Sequence, residues 1–402
     1  MRSDRRIGIK CYKDDIFLII AFYLSLFYFI AIPFASTIRN MLIAILLIYV
    51  LQNIKRVFKG GNKTIFFLVL AYAAWMVIDS FFYNEYIQLA PVNSFLNSVI
   101  KGLIVIEGIF TVDIYCKKRG FSRLLGVLFV FVGIMFVLSN AYVIIRGFNT
   151  TEGDYYLVGT KFSTSYLNIL LIVLIFFRCC YNKKRVGYVG IGILYGFSFF
   201  IAIKTDCSSA KVALLLSLVF LIFKRQLQQV FSNRMFLLAS FVVIFLFVYF
   251  YNLVLQNVYV THVVINILGE TLTMNGRTFI YRRLPEMLSD IWFTGFGNGR
   301  TGMILNYYTG CNDAQNAVWQ IICENGFIGF ILYALTSLKL RNSGGKDQIS
   351  NSYYLNVYFA LMLVLGLVEI TFDTRFLVLL FIVYLYNESS TTSSENVGLE
   401  YS

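Results

Sequence analysis

Apolar residues along this chain occur in long runs that are separated by short polar connections. A helix needs about 20 predominantly apolar residues to cross a bilayer, and open strands cannot cross because lipid does not satisfy their backbone groups. The pattern therefore predicts an all-α polytopic membrane protein with about twelve spans, at residues 16–35, 40–54, 64–83, 94–113, 124–145, 164–178, 186–203, 209–223, 235–253, 317–338, 354–370 and 376–387.

One connection, at residues 254–316, is far longer than the others. Connections that only join helices are usually a few residues long, so this loop indicates a function. It contains an amphipathic helix predicted at Thr278–Ile291 and a Gly-rich turn at 295–302, which is expected either to act as a lid or simply to end the helix. We predict one integral membrane domain over residues 1–402, with a Ser-, Thr- and Glu-rich disordered tail at 388–402.

Composition excludes a soluble protein. The 402 residues are 58% hydrophobic and only 14% charged, whereas a soluble globular protein is about 25% charged. The apolar runs therefore decide the class, although a chain of this length would also suit two or three soluble domains.

Positive charge marks one side of the predicted bundle. Lys and Arg gather in every second connection, near residues 2–13, 55–63, 117–123, 178–185, 224–234 and 339–346. The positive-inside rule places these connections in the cytoplasm, so both termini are cytoplasmic and the long loop lies outside. Topology then explains most of the net charge of +13. Because the clusters are short and divided among loops, nucleic acid is not an expected partner, whereas membrane lipids are.

Cysteine and histidine are too sparse for a metal centre. No pair among the seven cysteines has zinc-ligand spacing, and the chain has a single histidine, so we predict no metal site. No cofactor is expected either. Cys207 and Cys311 are the two cysteines on the predicted outer side, and they form a disulfide or stay unpaired.

Ten cations fall on the predicted outer side, against the positive-inside rule: Arg39, Arg146, Lys161, Lys204, Lys211, Arg277, Arg282, Arg283, Arg300 and Arg375. Cations at this depth suit an anionic ligand, and arginine suits phosphate because its planar fork bonds two oxygen atoms at once. A lipid pyrophosphate carries its charge at this level. The candidate pyrophosphate ligands are Arg146, Lys161, Lys204, Lys211, Arg277, Arg282 and Arg300.

Several of these cations also have a purely structural interpretation. Arg282 and Arg283 lie four and three residues before Glu286, which is the spacing of helical ion pairs. Arg39 and Arg375 are expected to extend to the interface while their stems stay in lipid.

Arg277 has no carboxylate close to it in the sequence, which makes it the leading ligand candidate. Two more charges fall within the span 94–113. Glu107 is near the middle, where an ionisable group by default indicates a function. Lys101 is near the outer end and can reach the interface.

Short motifs in and after the long loop follow a definite order. Gly276-Arg277-Thr278 precedes the predicted helix, Trp292–Gly299 reads WFTGFGNG, and Glu324–Gly329 reads ENGFIG. This order resembles the O-antigen ligase and polysaccharide polymerase superfamily. Its outer loop carries Gly-Arg, a helix, a Gly-rich turn and a polar doublet, before a span with Glu-x-Gly-x-x-Gly. The polar stretches Gly159–Ser165 and Thr205–Lys211 also fit.

The polar doublet departs from the family pattern. Ligase members have His-Asn there, with the histidine as the proposed base, and this chain has Gln315-Asn316. Glutamine cannot accept a proton, so both residues are kept only as candidate substrate contacts. The departure favours a polymerase over a ligase. Asp313 is the nearest carboxylate and is the candidate base, with a solvated loop aspartate as the alternative.

The resemblance implies a membrane glycosyltransferase that polymerises lipid-linked oligosaccharide repeat units, for O-antigen or capsule, in a bacterial cytoplasmic membrane. The growing glycan would pass from undecaprenyl pyrophosphate to the next lipid-linked unit on the outer side, with inversion and without a metal. Arg277 would stabilise the leaving pyrophosphate. Implied partners are the undecaprenyl-pyrophosphate-linked oligosaccharide and a chain-length regulator and flippase of the same pathway.

Two other functions stay open at this point. A ligase would join finished glycan to lipid A or another acceptor. A flippase, which transports lipid-linked oligosaccharide, has a similar number of spans but is expected to carry charges along a central cavity.

Overall fold

The computed structural model describes residues 12–29, 34–59, 62–81, 93–148, 156–185, 187–262, 265, 276–341 and 346–398. The regular elements within these ranges are α-helices, and the strand-like pairing there is a single bridge between Tyr156 and Gly159. In chain order the helices are α1 Lys13–Ser25, α2 Ala35–Gln52, α3 Ile54–Val57, α4 Lys63–Asp79, α5 Ser94–Arg119, α6 Phe121–Arg146, α7 Lys161–Tyr181, α8 Tyr188–Lys204, α9 Ser208–Ile222, α10 Lys224–Ser232, α11 Arg234–Gln256, α12 Val258–His262, α13 Arg277–Met287, α14 Thr301–Thr309, α15 Ala317–Leu340, α16 Lys346–Leu365 and α17 Thr374–Gly398.

Each of the twelve predicted spans falls on one of these helices. Six of the described helices are long and apolar enough to cross a membrane, namely α2, α5, α6, α7, α11 and α15. The prediction of a helical, multi-pass membrane protein is confirmed to that extent. The number twelve and the orientation stay predictions.

Helix boundaries differ from the predicted ones in several places. Helix α1 ends at Ser25 instead of residue 35, and α5 continues past residue 113 to Arg119. Helix α17 continues through Gly398. Residues 388–398 are therefore helical, in contrast to the disordered tail predicted at 388–402. A helix that has already formed in the membrane extends without a new nucleation cost, even through a polar sequence.

The loop helix is shorter than predicted, and other short helices were not foreseen. The predicted helix Thr278–Ile291 is observed as α13, which ends at Met287. Ser289 and Asp290 follow it, and such residues compete for backbone hydrogen bonds and favour turns. Helices α3, α10, α12 and α14 have only four to nine residues, too few to give a clear apolar period.

Helix α5 is at the centre of the packing. It contacts α1, α2, α4 and α17, while α7 contacts α6, α8 and α16. At Gly108 on α5, a Cβ would lie 2.9 Å from Cγ2 of Val378 and 3.1 Å from Cβ of Ser25. The absence of a side chain therefore allows α5 to approach α1 and α17 closely, as small residues do between membrane helices.

The predicted inner end is joined by ion pairs. Asp14 accepts hydrogen bonds from Lys118 at 3.0 Å and from Arg119 at 2.8 Å, and Asp15 pairs with Arg123 at 2.6 Å. Burial alone would raise the pKa of Asp14, but the hydrogen bonds from Lys118 and Arg119 outweigh it and hold that pKa below its usual value. These pairs fasten the start of α1 to the inner ends of α5 and α6.

Other contacts between connections also join segments that are predicted to lie on the same side. Nδ2 of Asn62 donates to Glu388 at 3.2 Å, and Nε of Arg234 donates to the carbonyl of Arg341 at 2.7 Å. All four residues belong to the predicted inner side. Both contacts therefore join connections that the predicted topology places on one side, whereas the orientation itself stays a prediction.

We expect cysteine labelling to test the orientation. Lys184 and Lys204 are both exposed. Lys184 lies four residues before α8 begins, and Lys204 is the last residue of α8. In intact cells, a membrane-impermeant maleimide should label Lys204→Cys above the level of the parent chain and should label Lys184→Cys only after permeabilisation. If only Lys184→Cys were labelled in intact cells, the orientation would be the opposite of the predicted one.

Candidate functional site

Helix α15 is broken at Gly326, where φ is 65° and ψ is −176°. The break leaves backbone groups without their helical partners, and the Gly-rich turn supplies new ones. The Phe296 amide donates to the carbonyl of Cys323 at 2.7 Å, and the Phe327 amide donates to the carbonyl of Trp292 at 2.8 Å. Non-helical backbone at membrane depth is tolerated only where protein or water satisfies it, so the turn and the break depend on each other.

Glycine is required on both sides of this contact. At Gly326 a Cβ would lie 2.1 Å from the carbonyl oxygen of Phe293, and at Gly295 it would lie 2.6 Å from that of Ile322. Both residues also have positive φ. Two motifs that are separate in the sequence thus form one unit, residues 292–299 and 323–328, which we call the turn–kink unit. The turn is packed against α15 instead of lying free as a lid.

Asn298 extends the turn–kink unit to α5. Its Nδ2 donates to Oδ1 of Asn325 at 2.6 Å, and its carbonyl accepts from Oγ of Ser94 at 2.9 Å. From the other side, Nε1 of Trp75 on α4 donates to the carbonyl of Asn325 at 2.8 Å. Helices α4, α5 and α15 are therefore held together around the turn, at the ends that are predicted to lie outside.

A cavity of about 410 Å³ adjoins this unit. Its wall combines apolar side chains from α1 and α5 with the polar and charged side chains of Arg39, Asn97, Lys101, Asn298, Asp373 and Arg375. All of these residues are predicted to lie at the outer ends of spans or in outer connections. The volume is in the range of pockets that bind small molecules.

Two of the three cations of the cavity wall have carboxylate partners, one distant and one close in the chain. Lys101 pairs with Glu324 on α15, and Arg375 pairs with Asp373 at 2.6 Å. Sequence reasoning treated Lys101 and Arg375 as residues extending to the interface. The sequence could not show that Lys101 meets Glu324, which is 223 residues away, whereas Asp373 stands only two residues before Arg375 and was overlooked.

Arg277 is buried at the start of α13, with 7% of its surface exposed. It follows Gly276, whose φ of 85° suits glycine. Nη2 of Arg277 lies 3.2 Å from Oε1 of Glu369, and that oxygen also accepts from Oγ of Ser209 at 2.7 Å. The interpretation of Arg277 as a cation without a carboxylate neighbour is therefore wrong, since the partner comes from the connection between α16 and α17.

Asn316 has a structural role. Its Oδ1 accepts from the amides of Val318 and Trp319, both at 3.1 Å, and thereby caps α15. Its Nδ2 donates to the carbonyls of Ile244 and Leu367, and the residue has no exposed surface. The amide is fully used inside the protein, so the predicted substrate contact at Asn316 is not supported.

Gln315 and Asp313 form the turn before that cap. Gln315 has a φ of 47°, and its backbone N–H donates to Oδ1 of Asp313 at 3.0 Å. The carbonyl of Gln315 lies 2.5 Å from the hydroxyl of Tyr281 on α13. This turn therefore fastens α13 to α15, and one oxygen of the candidate base Asp313 is used to shape it.

Lys161 and Lys211 meet at Asp206. Nζ of Lys161 donates to the carbonyl of Asp206, and Nζ of Lys211 pairs with its Oδ1, both at 3.1 Å. Three residues after Asp206, Ser209 contacts Glu369, the partner of Arg277. The structure thus brings three predicted site residues around the first turn of α9.

The remaining predicted residues do not join this group. Arg146, Lys204 and Arg282 are exposed, whereas Arg300 is buried just before α14. Arg283 donates to the carbonyl of Tyr308 at 2.8 Å and lies over the ring of Phe279. Among the described residues, no ion pair links Arg282 or Arg283 to Glu286, so the predicted helical ion-pair set is not formed.

Cys207 is a free thiol, so it does not form the disulfide considered for it and Cys311. It is fully buried, and Ser165 Oγ lies 3.9 Å from its sulfur. Burial raises the pKa of the Cys207 thiol to about 11, which keeps it protonated and unreactive near neutral pH.

Glu369 and Glu324 are the main residues that sequence reasoning missed. Glu369 falls within the predicted span 354–370, where a lone carboxylate indicates a function because its burial is costly. That signal was present in the sequence. Nothing in the sequence indicated that Glu324 pairs with Lys101, because 223 residues separate them.

Comparison with known proteins adds no relative. No protein-family model matches the chain. No curated protein and no solved structure matches it significantly.

We expect Gly326→Ala to destabilise the fold, because the new Cβ would meet the Phe293 carbonyl and the backbone would be strained. Strain alone costs about 1–3 kcal/mol, so the thermal unfolding midpoint of the purified protein should fall. Gly192→Ala is the matched control, since a Cβ there meets nothing within 4 Å and alanine favours helix. Equal midpoints for the two variants would contradict the close contact.

Proposed function

We propose that this protein polymerises lipid-linked oligosaccharide repeat units, of O-antigen or capsule, on the outer side of a bacterial cytoplasmic membrane. The growing glycan is transferred from undecaprenyl pyrophosphate to the next lipid-linked unit. The alternatives are a ligase, which would use the same leaving group, and a flippase.

The observation that carries the proposal is the turn–kink unit beside the cavity. Two motifs of the resemblance, Trp292–Gly299 and Glu324–Gly329, are joined by backbone hydrogen bonds. Two members of the turn, Asn298 and Gly299, line the cavity together with three cations. Their direct contact beside a charged cavity supports the proposal.

The reaction forms one bond and breaks one. A hydroxyl oxygen of the incoming unit attacks the anomeric carbon of the growing glycan, and the bond from that carbon to the pyrophosphate oxygen breaks. The lipid pyrophosphate leaves with the electron pair, while the hydroxyl proton passes to a base. In-line attack inverts the anomeric centre. Because pyrophosphate is a good leaving group, the protein mainly has to hold it and offset its growing charge.

Arg277 and Glu369 act as a pair in this proposal. Arg277 faces the leaving group, and Glu369 orients its guanidinium through the 3.2 Å contact. Asp313 stays the candidate proton acceptor, because Glu369 is engaged by Arg277 and Ser209 and a neighbouring arginine makes a carboxylate a weaker base. Gln315 remains unsuited to that role.

A gel of surface glycan from a deletion strain separates the three functions. Loss of a polymerase should leave single repeat units on the surface, because export and ligation still operate. A flippase defect should leave no surface glycan, and a ligase defect should leave polymer on its lipid carrier. Either of the last two patterns would refute the proposal.

Charge exchange tests whether the pair has more than a structural role. We expect Arg277→Ala to abolish chain extension while the protein remains in the membrane. The double variant Arg277→Glu with Glu369→Arg keeps an ion pair but removes the guanidinium from position 277, so extension should stay lost. Restored long glycan in the double variant, at normal protein level, would show that the pair serves the fold only. Arg225→Ala, which removes an exposed cation from a predicted inner connection, is the control.

A further inference from the structure

A cavity lies between α6 and α7, at the ends of these helices that are predicted to be cytoplasmic. Its volume is about 230 Å³, and it is lined by Phe129, Ile175, Arg178, Cys179, Asn182 and Lys184. Pockets that enclose a whole small molecule usually exceed roughly 300 Å³. This cavity, which we call the inner cleft, therefore suits a head group whose remaining part stays outside.

The guanidinium of Arg178 is held in position but is not neutralised. It lies 4.4 Å from the ring centre of Phe129 on α6, which is a cation–π contact. Among the described residues its side chain forms no ion pair and no hydrogen bond. A guanidinium has five N–H donors, so an oxyanion can bind Arg178 without displacing any protein group.

The turn after α7 brings Lys184 to the same cleft. The backbone N–H of Lys183 donates to the carbonyl of Cys180 at 3.0 Å, and that of Lys184 donates to the carbonyl of Cys179 at 2.8 Å. This pair of bonds is a Schellman motif, which folds the chain back over the last helical turn. Lys183 has a φ of 52°, at the position of the motif that usually carries glycine. The motif fixes the backbone from which the Lys184 side chain reaches the cleft.

Neighbouring cations on the predicted inner side are neutralised, in contrast to Arg178 and Lys184. Lys118 and Arg119 both pair with Asp14. None of the described residues that line the inner cleft is acidic, and Lys184 forms no ion pair within the described ranges. The positive charge of the inner cleft is therefore available to an anion from outside the protein.

An apolar stripe leads away from the inner cleft along α6. Val130, Ile134 and Val137 are 56%, 55% and 62% exposed, and their spacing of four and three residues places them on one helical face. The stripe begins at the residue after Phe129. Since α6 is long and apolar enough to cross a membrane, an acyl chain can follow this stripe while its phosphate stays in the cleft. A water-soluble phosphate would gain nothing from the stripe.

We propose that the inner cleft binds the phosphate of an anionic phospholipid from the surrounding membrane, with Arg178 and Lys184 as its ligands. The acyl chains lie against Phe129, Ile175 and the apolar stripe of α6. Basic pockets between membrane helices bind anionic head groups in this way. The site shares no lining residue with the cavity beside the turn–kink unit, and it does not depend on the proposed function.

Native mass spectrometry of the purified full-length protein, titrated with phosphatidylglycerol in mild detergent, tests this site. Arg178→Gln and Lys184→Gln should each weaken binding of the first lipid about tenfold or more, because each removes a charge-assisted hydrogen bond. Lys55→Gln removes an exposed cation of α3, also on the predicted inner side, and should leave binding unchanged. Lys184 is exposed, so its replacement should not disturb folding. Unchanged affinity in Lys184→Gln would overturn the proposal even if Arg178→Gln fails to fold.

Competitors identify the part of the lipid that is recognised. Phosphatidylcholine with the same acyl chains should compete at least about tenfold more weakly than phosphatidylglycerol, because the two cations repel its trimethylammonium group. Inorganic phosphate should also compete at least about tenfold more weakly, because it has no acyl chain. Equal competition by either compound would contradict the proposal, as would an equal loss of affinity in Lys55→Gln, which would spread the attraction over the whole inner surface.

Discussion

The break in α15 at Gly326 is the constraint on which the outer half of the molecule depends. A helix that is interrupted at membrane depth must find new partners for its backbone groups, because lipid offers none. The Gly-rich turn supplies these hydrogen-bond partners, and the same bonds fix its own backbone against α15. Its position places Asn298 in the cavity wall, and Glu324, two residues before the break, reaches Lys101 on α5.

Charge on the predicted outer side follows a second rule, in which three of the cations are each matched by a carboxylate. Lys101 pairs with Glu324, Arg277 with Glu369 and Arg375 with Asp373. Glu369 and Asp373 both belong to the connection between α16 and α17, which therefore supports the Arg277 region and the cavity at once. Unpaired charges would be costly to bury, and these pairs reduce that cost.

The sequence predicted the helical class, the segments that form the helices and the order of the loop motifs, because apolar periodicity and glycine patterns are local properties. It did not predict which charges meet. Arg277 and Glu369 are 92 residues apart. They meet where α13 contacts the connection after α16, in which the carbonyl of Leu367 also accepts a hydrogen bond from the hydroxyl of Tyr281 on α13 at 3.1 Å. Arg39 and Arg375 gave the same local signal as interfacial cations, and their shared cavity appears only in three dimensions.

The central claim is that the protein itself extends a glycan on its lipid carrier. The most direct measurement is a reaction in nanodiscs that contain only the purified protein and a chemically defined, undecaprenyl-pyrophosphate-linked repeat unit. The account predicts a ladder of lipid-linked products that differ by one repeat unit, together with release of undecaprenyl pyrophosphate. Folded protein that leaves the substrate unchanged under these conditions would contradict it.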